Sequence, residues 1–160
     1  MVTMILLAAA LAAQERAATS GRVLWNVETV LACALALLGR SERSFPPVSF
    51  AERLPPEVSP LAQGYVLIGE PRIVLVTATP AFRQARRARD RCGELYALRE
   101  IAGVLAHEEW HVRHGPDEEG AYDAQLTALV HVGEAQNGRL YHEVLRAKRA
   151  VTSASKRRAR

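Results

Sequence analysis

The sequence predicts an α+β fold, mostly helical, with a short β-hairpin or small sheet around residues 65–77. Three observations carry this. Leu95, Leu98, Ile101, Ala102, Leu105 and Val112 recur at three- and four-residue spacing, the period of a helix with one buried face. Gly115-Pro116 then stops that helix, and a second helical pattern starts at once. Upstream, YVLI (65–68) and RIVLVT (72–77) are β-rich runs parted by Gly69-Glu70-Pro71, which reads as a hairpin or two consecutive strands.

The other elements follow in order. MVTMILLAAALAAQE is apolar and ends in small residues before charge, so residues 1–21 read as a signal peptide or as an N-terminal helix. No Lys or Arg precedes the apolar run, which favours a buried helix and a cytoplasmic protein; action of residues 1–13 as a signal would make it secreted or periplasmic. Residues 22–38 read as a helix closed by Gly39, and the run VETVLACALALLG is broken by Glu28, so no stable transmembrane span is expected. Pro46-Pro47, Pro55-Pro56 and Pro60 exclude a continuous element over 40–64, leaving room for a short helix at Phe50 to Leu54. Thr79 and Pro80 have the pattern of a cap and first helical position for AFRQARRARDRCG. The central helix runs to His114, with Gly103 inside it costing stability unless another element packs closely there. Asp117 caps the next helix, Glu118 to about Gly133, and a further short helix covers Arg139 to Lys148.

At 160 residues and 49% hydrophobic, the chain fits one domain, placed at 22–145. The net charge is +4, yet seven Lys or Arg and no Asp or Glu lie from Arg146 onward, which leaves residues 1–145 at −3. Residues 146–160 are therefore expected as a basic, flexible tail. A nucleic-acid or acidic-membrane contact is open to it, but it has no aromatic residue to stack on bases, and a solvated end is favoured. The five arginines of FRQARRARDR read as a solvated helix face, with Arg86, Arg87 and Arg89 free to pair with Asp90, Glu94 or the acidic 117–119 turn. Cys33 and Cys92 have no CxxC partner; they can pair in an oxidising compartment.

The chemistry concentrates in HEEWH, residues 107–111. Four residues along a helix place His107 and His111 on one face, about 6 Å apart along the axis, a spacing at which two imidazoles close on one Zn²⁺. Glu108 is then placed to act as general base on metal-activated water without being a ligand. A third ligand comes most easily after the turn. Glu119 is favoured, because Asp123 follows it by four residues and a metal-bound histidine usually donates its second N–H to a carboxylate. Glu118 and His114 are the alternatives. His114, Tyr122, His131, Tyr141 and His142 are candidates to stabilise a transition-state oxyanion, although Tyr122 also reads as core and His142 as exposed. Trp110 reads as a packing residue. The 65–77 region offers a sheet edge for an extended substrate, unless Gly64 and Gly69 mark only turns.

HEEWH followed by EGAYD resembles the gluzincin branch of the zinc metallopeptidases, in which HExxH is followed by ExxxD on a second helix. The resemblance covers about 40 residues, Gly93 to Gly133. It implies a minimal zincin-like domain with His107, His111 and Glu119 as ligands, Glu108 as general base and Asp123 orienting a ligand histidine. Only seven residues separate His111 from Glu119, fewer than in the large members. That compactness is more similar to minimal zincin cores of small bacterial proteins and to ImmA/IrrE-type metallopeptidases. The implied activity is zinc-dependent hydrolysis of a peptide or protein. The competing expectations are a metal-binding pseudoenzyme or interaction module, a hydrolase of small molecules, and a basic nucleic-acid-associated protein.

Overall fold

A computed structural model describes residues 24–67 and 69–158. The sequence expectations for residues 1–21 lie outside them. Five α-helices and a three-stranded sheet result: α1 Val27–Leu37, β1 Val48–Ala51, β2 Gly64–Val66, β3 Ile73–Val76, α2 Pro80–Arg86, α3 Leu95–His114, α4 Glu118–His131 and α5 Arg139–Arg158. The α+β, mostly helical expectation holds. Among the described residues no helix is long and apolar enough to cross a membrane.

Local chemistry sets most boundaries. Asn26 caps α1 by accepting from the Thr29 N–H at 2.7 Å, and Gly39 beyond its end has φ +65°. Thr79 caps α2 through the Phe82 N–H, with Pro80 at the first helical position, where its missing N–H costs nothing. The predicted hairpin is β2 antiparallel to β3. The short helix expected at Phe50 to Leu54 does not form: Phe50 and Ala51 end β1, which runs parallel to β3 with Phe50 opposite Leu75, and residues 52–54 are irregular. Phe50 gains a core contact there, its ring 6.0 Å from that of Phe82. The sheet order is β1-β3-β2, which leaves β2 on an edge.

The main core joins the sheet to α1, α2 and the first half of α3, through Leu35, Ile73, Leu75, Phe82, Leu98 and Leu105. Cys33 of α1 is disulfide-bonded to Cys92 in the turn before α3. Of the arginine-rich segment, Arg86 donates to the Trp25 carbonyl at 2.9 Å rather than to a carboxylate, and Arg83, Arg87 and Arg89 are exposed.

A smaller core of Leu126, Leu129, Leu140 and Val144 holds α4 against α5. Gly103 has the reason the sequence demanded: a Cβ there would lie 3.1 Å from Leu129 Cδ2, so α4 approaches α3 closely at this point. Residues 146–158, expected as a flexible tail, continue α5 as helix. Leu140, Val144, Ala147 and Val151 keep the helical period into it, and Lys148 anchors it to Asp123 of α4.

Candidate metal centre

The last two turns of α3 and the first turn of α4 meet at one point. His107 Nε2 and His111 Nε2 are 3.2 Å apart. Glu118 places Oε2 3.5 Å from His107 Nε2 and Oε1 3.5 Å from His111 Nε2. Ligand atoms bound at about 2.0–2.1 Å around a tetrahedral Zn²⁺ lie roughly 3.3 Å apart, so these separations suit one ion. Among the described residues this is the group of His, Cys, Asp or Glu side chains whose ligand atoms come within 4.8 Å of one another.

The turn between the helices orients one of the two histidines. His111 Nδ1 is 2.9 Å from the Gly115 carbonyl oxygen. A carbonyl only accepts, so Nδ1 carries the proton and the Nε2 lone pair faces His107 and Glu118. Gly115 has φ 80° and ψ −157°, a region essentially closed to residues with a Cβ. His107 is oriented differently. Its Nδ1 is buried without a hydrogen-bond partner, and its ring meets the Tyr122 ring edge-on with centroids 4.7 Å apart.

Glu118, the alternative, takes the place expected of Glu119. Asp117 caps α4 by accepting from the Gly120 N–H at 3.2 Å, which makes Glu118 its first residue. Gly120 faces α3 because a Cβ there would lie 2.5 Å from Trp110 Cζ2, and Ala121 is fully buried. This phase turns Glu118, Tyr122 and Gln125 toward α3 and leaves Glu119, Asp123 and Thr127 in solvent. Glu119 and Asp123 do share a face, but it is the outer one. Asp123 therefore does not orient a histidine; it bonds Lys148 of α5. Its expected place beside a ligand is filled by the Gly115 carbonyl at His111 and by nothing polar at His107.

The remaining candidates separate cleanly. His114 is exposed, stacks on Trp110 with centroids 3.9 Å apart, and is not part of the cluster. His131 is exposed at the end of α4, and Tyr141 and His142 lie on α5 outside the cleft beside the centre. Tyr122 lines that cleft while also packing on the smaller core. Trp110 is half-buried and packs beneath Gly120, the packing role expected of it.

Glu108 is only 7% exposed, and it lines the cleft beside the histidines. Burial pushes its carboxyl up to about 7; the attraction of His107 opposes this, and the charge of Glu118 adds to it. The hydrogen bond with His107 holds Glu118 below the usual carboxylate range, against its partial burial. Burial raises the Tyr122 hydroxyl, and Glu118 and Glu108 raise it further.

The cleft is open, about 950 Å³, and bounded by β2, the 58–71 loops, α3, α4 and α5. Gly64 of β2, a possible turn marker in the sequence, serves close packing. A Cβ on it would lie 3.0 Å from Val104 Cγ1 and 3.2 Å from Glu108 Cγ, so the strand lies directly on the helix that carries the histidines. Gly64, Tyr65 and Val66 line the cleft, and among the described residues β2 has no strand partner on its outer side. Sequence reasoning did not single out Gln125, Glu100 or Glu143, which also line it. Glu100 was within reach: it precedes Val104 and Glu108 at four-residue steps, on one helix face.

Comparison with protein-family profiles, with curated proteins and with solved structures returned no match for this chain.

Proposed function

We propose that this protein is a zinc-dependent hydrolase, a peptidase of minimal gluzincin-like type, with His107, His111 and Glu118 as ligands. One observation carries the reading: two imidazoles and a carboxylate converge at metal-binding separations beside a buried glutamate in an open cleft. A Zn²⁺ ion held by these three groups would polarise a substrate carbonyl and acidify the attacking water.

The chain's own residues supply the rest. Glu108 takes the proton from the attacking water and returns it to the leaving amine. Its buried setting, with the strand β2 laid over its side-chain stem, keeps bulk water from competing for that proton. Tyr122, beside His107 and lining the cleft, is the best-placed donor to the developing oxyanion. The edge of β2, unpartnered among the described residues, offers backbone N–H and C=O groups to an extended substrate, which would add as a further strand.

The open cleft favours a polypeptide substrate over a small molecule. The orientation of Glu108 into that cleft favours an enzyme over a metal-stabilised interaction module. Both histidines line the cleft, which favours the metal-centred reading over a nucleic-acid one. The Cys33–Cys92 bridge supports an oxidising compartment, and with it the export reading of residues 1–13 over the cytoplasmic one.

The test is direct. Purified protein is expected to hold about one equivalent of zinc and to cleave an unfolded protein substrate, with cleavage stopped by chelation. Glu108→Gln keeps the zinc and loses on the order of 10²–10⁴-fold in rate. Full activity in that variant would sink the mechanism.

A further inference from the structure

The cleft carries a charge pattern unlike the rest of the chain. The protein has 21 Lys and Arg against 17 Asp and Glu. Yet, among the described residues, Glu70, Glu100, Glu108, Glu118 and Glu143 line the cleft and no Lys or Arg does. Two of these five belong to the candidate centre. The other three have no part in it.

Glu100 and Glu143 face the cleft from α3 and α5. Glu100 accepts from Gln63 Nε2 at 2.6 Å, a neutral partner that leaves its charge intact. Near Glu143 is Arg139, whose Nε lies 3.6 Å from Oε1. That guanidinium pairs with Glu143 while also donating to the Tyr96 hydroxyl at 2.9 and 3.0 Å, and it lies 5.1 Å from the centre of the Tyr96 ring. One arginine, outside the lining, thus stands near two carboxylates inside it. A separate observation points into the same space. Glu108 is 93% buried and lines the cleft. A concave wall of one sign concentrates ligands of the other.

Distance fixes where the charge acts. Glu100 precedes Glu108 by two helical turns, about 12 Å at 1.5 Å per residue. An extended peptide rises about 3.3 Å per residue, so that span covers between three and four of its residues. Val66, Leu140 and Val144 give the same cleft apolar walls.

We infer that the cleft takes an extended cationic polypeptide and seats an Arg or Lys side chain between Glu100 and Glu143, about three residues from the bond that faces Glu108. This deepens, and rests on, the hydrolase reading. Glu100 and Glu143 are specificity-determining residues, separate from the metal ligands.

The test measures binding without turnover. Full-length protein carrying Glu108→Gln, loaded with zinc, is titrated by fluorescence anisotropy with two labelled nonapeptides that differ only in three Arg or three Glu. The Arg peptide is expected to bind at least about tenfold tighter at low salt, with the advantage shrinking as salt screens it. Adding Glu100→Gln and Glu143→Gln together brings the preference below about threefold, with zinc content and thermal midpoint retained. The single change Glu143→Gln, at a half-exposed position, gives a partial loss and serves if the combined variant folds poorly. Equal binding of the two peptides, or a preference that survives both substitutions, overturns the inference. Zinc measured on the same samples separates the two claims. Protein that binds zinc but shows no charge preference refutes this inference alone. Protein that shows the preference but takes up no zinc supports it and refutes the hydrolase reading.

Discussion

The two faces of α4 carry similar chemistry and come to opposite ends. The inner face presents Glu118, Tyr122 and Gln125 to α3; the outer face presents Glu119, Asp123 and Thr127 to solvent. Each has a carboxylate in the first turn, followed by a polar group four residues on. Only the inner carboxylate meets the histidines. One residue is about 100° of helix rotation, so a ligand assignment made from spacing alone depends on a phase that spacing does not reveal.

Packing sets that phase, and Gly120 is where it can be broken. A side chain at this position must displace the Trp110 ring or tilt α4 away from α3. Gly120→Val is expected to destabilise the fold by about 1–3 kcal/mol, the usual range for overpacking, and to weaken zinc binding along with it. Urea melts with and without chelator measure both effects. A stable variant with intact zinc affinity would mean that Gly120 does not fix the phase.

The outer face should respond weakly. Asp123→Asn removes the ion pair with Lys148, at a half-exposed site, and should cost no more than about 1 kcal/mol. Zinc affinity stays within experimental error, because no ligand histidine touches Asp123. A tenfold loss of zinc, the size seen when a ligand's supporting carboxylate is removed, would restore the orienting role expected from ExxxD.

Much of this arrangement was legible in the sequence. The apolar period gave α3, and Gly115-Pro116-Asp117 gave its end, the turn and the cap of α4, since each of those residues acts through its own backbone or its nearest neighbours. The histidine pair and Glu108 followed from spacing on one helix. What escaped depended on distant partners. β1 is four residues between proline pairs, and it becomes a strand only because β3, 25 residues later in register, pairs with it. The end of α5 looked like a solvated tail because its basic composition masked the continuing period of Val144, Ala147 and Val151. The choice between Glu118 and Glu119 had a usable signal. Ala121, Gln125 and Leu129 mark the inner face of α4, and Glu118 is in phase with them while Glu119 is not.

Zinc affinity of Glu118→Ala and Glu119→Ala, measured side by side against a chromogenic chelator, tests the centre most directly. The geometry predicts a loss of more than about 100-fold for Glu118→Ala, beyond what removing a supporting residue costs, and a change under about twofold for Glu119→Ala. The reverse order, or equal affinity in both variants, would contradict a centre built from His107, His111 and Glu118.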